Sequence, residues 1–104
     1  MFFVQGSSYK LPIRIQDNNC KDINISLIES AKFSFGDIVK TYGEDVIFDY
    51  EKQAFIVPLS AKETSTFDRL VKFQASITFL GGETDNTRQQ TISVYSSNKS
   101  ILGE

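Results

Sequence analysis

The sequence predicts an all-β protein built as a sandwich of two sheets, and three observations carry that prediction. Between residues 71 and 80, Val71, Phe73, Ala75, Ile77 and Phe79 are apolar, and Lys72, Gln74, Ser76 and Thr78 between them are polar. A period of two is that of a strand with one buried face and one wet face. Short apolar runs recur along the whole chain, separated by turn residues such as Asp17-Asn18-Asn19, Gly36-Asp37 and Gly81-Gly82. The composition also favours strands, with nine Phe and four Tyr against no Trp and many Ser, Thr, Ile and Val.

Taken in order, Tyr9-Lys10-Leu11-Pro12-Ile13-Arg14-Ile15 places Tyr9, Leu11, Ile13 and Ile15 on one face. Pro12 has no donor, so this is an edge strand or has Pro12 at a non-pairing position. Ile23 to Ile28 is apolar at 23, 25 and 27 with Ile28 out of phase, and reads as a short strand or an extended crossing segment. Ala31 to Phe35 is a strand closed by Gly36-Asp37, and Ile38 to Tyr42 pairs back on it. Val46 to Tyr50 and Ala54 to Leu59 flank Glu51-Lys52-Gln53, a hairpin without glycine, and Phe55, Val57 and Leu59 share a face.

Ser60-Ala61-Lys62-Glu63 matches the S-x-x-E capping box, which predicts one or two helical turns ending near Phe67 or Asp68. The residue-71 strand follows and turns at Gly81-Gly82 into a second alternating run that ends at Ile92, Val94 and Tyr95. A helical turn before a closing hairpin, after several short strands, points to an immunoglobulin-like Greek-key β-sandwich. A small β-barrel is the alternative. The antibody-type disulfide and buried Trp are not in the chain.

The 104 residues make one domain, 1–104, with short terminal arms at about 1–6 and 97–104. Net charge is −2, from 11 basic and 13 acidic residues without runs, so there is no basic face for nucleic acid. One cysteine, Cys20, forms no disulfide within the chain, and no apolar run approaches the ~20 residues that span a bilayer. The start of the chain lacks the positive region of a signal peptide, which predicts a protein made in the cytoplasm.

Catalytic chemistry is thinly supplied. Histidine is absent, which removes the commonest general base and the commonest transition-metal ligand. A lone Cys makes no thiolate zinc site, and no Ser lies in a G-x-S-x-G elbow. Glu44-Asp45 with Asp49 and Glu51, or Asp17 with Asp22, match no calcium-loop pattern and read as solvated turn charges. The expectation is no enzyme, no metal and no cofactor. Phe33, Phe35, Phe48, Phe55, Phe73 and Phe79 read as core.

Phe2, Phe3 and Val4 have two readings: an initial strand that extends the sheet, or an arm that docks on a neighbouring copy. Ile101 and Leu102 at the other end are candidates of the same kind. On the arm reading, a chain lacking residues 1–5 folds but does not assemble.

Val4-Gln5-Gly6 followed by Tyr9-Lys10-Leu11-Pro12-Ile13 resembles the "QG…LP(I/L)" opening of small structural proteins of tailed bacteriophages and prophages. Val57-Pro58-Leu59-Ser60-Ala61-Lys62-Glu63-Thr64 is similar to their "VPLTxEET" turn. Val71-Lys72-Phe73-Gln74-Ala75 resembles "VxVQ(A/V)", and Asn98-Lys99-Ser100-Ile101-Leu102 resembles the "SKxxL" ending. The likeness runs over nearly the whole chain and includes the immunoglobulin-like N-terminal modules of baseplate upper proteins. One departure is the first turn, Asp17-Asn18-Asn19-Cys20, where such proteins carry an acidic residue with Gly.

The resemblance implies a non-enzymatic virion structural protein, an assembly subunit or adaptor in the tail or baseplate or on the capsid surface. Its partners would be other virion proteins and copies of itself, with no nucleic acid and no membrane. It would be made in the host bacterial cytoplasm and end in the virion. A chain stopping at Glu104 favours a free-standing subunit over a module that continues into a fibre. The alternative is a host-surface or carbohydrate-binding module, for which Tyr42, Tyr50 and Tyr95 are the candidate aromatics.

Overall fold

A computed structural model of the chain describes residues 2–16, 21, 23–87 and 89–96. Its strands are β1 (Phe2–Val4), β2 (Tyr9–Ile13), β3 (Ile28–Phe35), β4 (Ile38–Thr41), β5 (Ile47–Asp49), β6 (Ala54–Leu59), β7 (Leu70–Phe79), β8 (Thr84–Asn86) and β9 (Gln90–Tyr95). One helical turn, α1 (Ala61–Thr64), separates β6 from β7. The large sheet runs β1-β9-β7-β3-β4 with β8 beside β7, and the small sheet runs β2-β6-β5. β2, β6 and β5 stand where an immunoglobulin sandwich has B, E and D, and β3, β7 and β9 where it has C, F and G. The protein is an all-β, immunoglobulin-like sandwich.

Alternation decides which side chains meet between the sheets. β3 and β7 pair antiparallel over Phe33↔Ala75 and Ala31↔Ile77, so these residues enter the interior together. Phe55, Val57 and Leu59 of β6 face them, and Phe33 meets the Phe55 ring at 5.2 Å. Phe33, Phe35 and Phe55 are buried, while Phe48, Phe73 and Phe79 pack half-buried against that core.

Prolines and turns follow local rules. Pro12 lies on β2, an edge strand, and Pro58 lies on β6 beyond Ile56, the last residue that β5 pairs with. Neither position requires the missing N–H for the ladder. Between Phe35 and Ile38 the two-residue loop begins with Gly36 at φ +62, as a type II′ hairpin demands of its first loop residue. The glycine-free hairpin after β5 works differently. The Asp49 Oδ1 accepts from the Glu51 and Lys52 amides at 2.9 and 3.2 Å, and Gln53 takes the left-handed conformation at φ 52.

Three boundaries differ from the sequence pattern. Residues 25–27 form a 3-10 turn, capped by the Asn24 side chain, so the 23–28 segment crosses between sheets and β3 begins at Ile28. The return run after Gly81-Gly82 is split: β8 pairs with Ser76 to Thr78, β9 pairs with Leu70 to Phe73, and the register moves by one residue between them. Thr87 causes the interruption, since its hydroxyl accepts from the Ala75 amide at 2.9 Å and its carbonyl from the Gln74 side chain at 2.9 Å. The capping box is present in full, yet α1 ends at Thr64 and tighter turns carry the chain to Phe67.

The N-terminal segment is a strand of its own domain. β1 pairs parallel with β9, Phe3 opposite Val94, and Phe3 is 0% exposed. Its ring lies 5.1 Å from Tyr9, 5.9 Å from Phe35 and 5.7 Å from Phe67. Of the two readings, residues 2–4 take that of an initial strand extending the sheet, and Phe3 is corrected as an assembly contact. A side chain that fills the core is not available to a neighbouring copy, and burial of an aromatic ring outweighs any weak external contact. The 97–104 arm, with Ile101 and Leu102, lies outside the described residues, as do Asp17 to Cys20 and Asp22.

Phe3→Ala is expected to cost about 3–5 kcal/mol, read as a shift in the urea midpoint at constant slope. A chain lacking residues 1–5 loses the same ring and one edge strand, so its thermal midpoint falls sharply.

Candidate functional site

The described residues contain no cluster of three or more His, Cys, Asp or Glu that could hold a metal ion. Their one buried charge belongs to Lys40 of β4. Its ammonium donates to Glu63 Oε1 at 2.9 Å and Oε2 at 2.7 Å, and lies 4.0 Å from Asp45 Oδ2. Glu63 also accepts from the Ser60 amide at 2.9 Å as the far half of the capping box. Partial burial pushes the Glu63 carboxyl up. The Lys40 and Ser60 hydrogen bonds and the Lys40 charge outweigh it and hold the group below the ordinary carboxylate range. A carboxylate so occupied is a structural tie between the large sheet and α1, not a poised acid or base.

The chemistry on offer is surface chemistry, concentrated at one corner of the large sheet. Parallel pairing sets Phe2 opposite Ser93 and Val4 opposite Tyr95, and antiparallel pairing sets Leu70 opposite Ser93. Alternation then projects Phe2, Val4, Leu70, Ser93 and Tyr95 from the same outer face. Phe2 is 56%, Leu70 62% and Tyr95 57% exposed, and the Phe2 and Tyr95 rings meet edge-on at 5.3 Å. Beside them an open concavity of about 770 Å³ is lined by Gln5, Arg69, Leu70, Ser93, Tyr95 and Ser96. The rest of this face carries Ser30, Lys32 and Ser34 on β3, Lys72, Gln74, Ser76 and Thr78 on β7, and Val39 and Thr41 on β4, with Val39 53% exposed. The polar strands β7 and β3 thus separate the apolar corner from Val39 on the opposite edge strand.

The corner presents side chains more than backbone. The outer edge of β1 is partly closed by its own chain: the Tyr9 hydroxyl accepts from the Val4 amide at 2.8 Å, and the Ser7 amide donates to the Val4 carbonyl at 3.2 Å. Behind it the crossing segment is pinned to α1. The Thr64 hydroxyl accepts from the Gly6 amide at 3.0 Å and donates to the Ser7 carbonyl at 2.8 Å, while the Gln5 side chain donates to the Phe67 carbonyl. Strand addition at β1 is therefore less suited to this site than contact with its face.

Of the candidate contacts read from the sequence, the structure brings Phe2 and Val4 together at this corner and takes Phe3 into the core. The chain also leaves β9 here, at Tyr95. Leu70 was not singled out by the pattern, although a signal exists. It is an apolar residue in phase with Lys72, Gln74, Ser76 and Thr78, the polar set of β7. The three tyrosines do not form one platform. Tyr42 packs edge-on against Phe55 in the interior at 5.3 Å, Tyr50 follows β5 in the small sheet, and Tyr95 is on the large sheet.

Comparison of the chain with protein-family models, curated proteins and solved structures returns no match.

The Lys40–Glu63 tie sets a pH dependence. A folded-state value below the unfolded one means stability present at neutral pH and lost as pH falls through the folded value, from roughly pH 5 downwards. Glu63→Gln is expected to cost about 1–3 kcal/mol at pH 7 by leaving the Lys40 ammonium only the Asp45 carboxylate at 4.0 Å as a counter-charge. Urea midpoints of the two chains should converge as the pH is lowered.

Proposed function

We propose that this protein is a non-enzymatic structural subunit of a tailed-phage or prophage particle, an assembly subunit or adaptor of the tail, baseplate or capsid surface. The reading draws its context from the sequence resemblance at residues 4–13, 57–64 and 71–75. The observation that carries it is the outward corner of Phe2, Leu70 and Tyr95, three large apolar side chains gathered at one end of the large sheet's outer face, with Val39 standing apart on the far edge strand. Large exposed apolar groups gathered at one place are the mark of a contact surface. The corner sits on a rigid two-sheet frame, which suits a subunit held by shape in a repeated lattice. Many identical sites let each contact be weak while the whole is firm.

The test uses particles from a lysogen that carries the coding sequence. The chain is expected to co-purify with the particles through a density gradient. Leu70→Asp with Tyr95→Ser should express, melt within a few degrees of wild type because both residues are exposed, and be lost from the particle fraction. Wild-type chain found only as free protein would overturn the proposal.

A further inference from the structure

The small sheet turns a second apolar face outward. On β6 the inward set is Phe55, Val57 and Leu59, and of the alternate residues Ile56 and Pro58 reach the outer surface while Ala54 is buried at 1% exposure. The register places Pro12 opposite Ile56 on one flank and Ile47 opposite Ile56 on the other. The result is a cross centred on Ile56, with Pro12 and Ile47 along one arm and Pro58 along the other, whose far end at Ala54 is already covered by the chain itself. Ile47 is 64% exposed and Ile56 and Pro58 are half-buried. β6 is apolar at all six positions, the pattern of a strand covered on both faces and not of one facing water.

Two charges border the cross at opposite corners. Lys10 sits on β2 opposite Pro58, and Asp49 sits on β5 opposite Ala54. Each is one strand, about 4.8 Å, to the side of Ile56 and two residues, roughly 7 Å, along it, in opposite senses. We propose that this face is a self-complementary interface, on which a second copy of the chain packs with its small sheet crossed at about 90° around a two-fold axis.

That operation lays Ile56 of one copy over Ile56 of the other and Ile47 of each over Pro58 of its partner. It also sets Lys10 opposite the other copy's Asp49 twice over, whereas a two-fold along the other diagonal sets Lys10 against Lys10. Asp49 gives Oδ1 to its own turn amides, which leaves Oδ2 to face a cation. Arg14, next in phase after Pro12, is engaged by a contact within its own chain. Strand addition is not the mode, because Pro12 takes a donor from the β2 edge. The surface is on the opposite sheet from the Phe2–Leu70–Tyr95 corner, so the two contacts are separate.

Sedimentation equilibrium on the full chain tests the proposal. The wild type should be a dimer at about 100 μM and dissociate more readily as salt rises. Ile47→Asp should be monomeric at the same concentration, and should melt within a few degrees of the wild type when both are diluted to where the wild type is also monomeric. Lys10→Glu should weaken self-association roughly tenfold or more, since two opposed pairs become repulsive. An equimolar mixture of Lys10→Glu and Asp49→Lys chains should recover a heterodimer, in which one contact is native and the other is reversed. If Asp49→Lys fails to fold, Asp49→Asn keeps the turn acceptor and should still weaken the dimer. A wild type that stays monomeric at millimolar concentration would overturn the interface. So would a dimer indifferent to Ile47→Asp and Lys10→Glu. Neither result bears on the corner, whose variants are Leu70→Asp and Tyr95→Ser.

Discussion

The parallel seam between β1 and β9 is the constraint on which the rest of the molecule depends. It is only three residues long, yet it delivers the Phe3 ring into a cluster with Tyr9, Phe35 and Phe67. Those rings come from both sheets and from the turn after α1, so one side chain ties three parts of the sandwich together. A short parallel ladder is weak by itself, and its register holds because a one-residue slip would put Phe3 in water and Phe2 inside. The hydrogen bonds from Gly6 and Gln5 to Thr64 and Phe67 then fix where the chain crosses to the small sheet.

α1 is a single turn and would not persist alone. It is held because Glu63 and Thr64 bond to other segments. Ser60 and Glu63 cap each other, Glu63 takes the Lys40 ammonium from β4, and the buried Thr64 hydroxyl serves the N-terminal crossing. The turn is thus a junction for the two ends of the large sheet and the crossing between sheets. The outer faces are left to the strands, and they differ in character. The large sheet is polar except at the Phe2 corner and at Val39, and the small sheet is apolar except at Lys10 and Asp49.

Much of the fold was legible because strand alternation is a local property. The β7 pattern, the β6 core set, the Ser60–Glu63 box and the edge position of Pro12 all rest on neighbouring residues, and each is in the structure. What was less legible involved partners distant in the chain. The break between β8 and β9 depends on Thr87 reaching Gln74 and Ala75, and nothing near Thr87 announces it. The site was half legible for the same reason. Phe2 and Val4 stood out as an apolar group, while Leu70 matters only because Ser93 lies between it and Phe2.

By itself the sequence determined the class of fold, the inward face of each main strand and the thin supply of catalytic side chains. Those follow from period, turn chemistry and composition, which need no knowledge of partners. The tertiary structure decided that residues 2–4 are a strand of the large sheet with Phe3 in the core, because a parallel pairing across 90 residues of chain sets their environment. It likewise decided which apolar residues are left outside. An outward Leu70 or Ile47 is defined by the strands beside it, and strand order is fixed by long-range packing that no local pattern records.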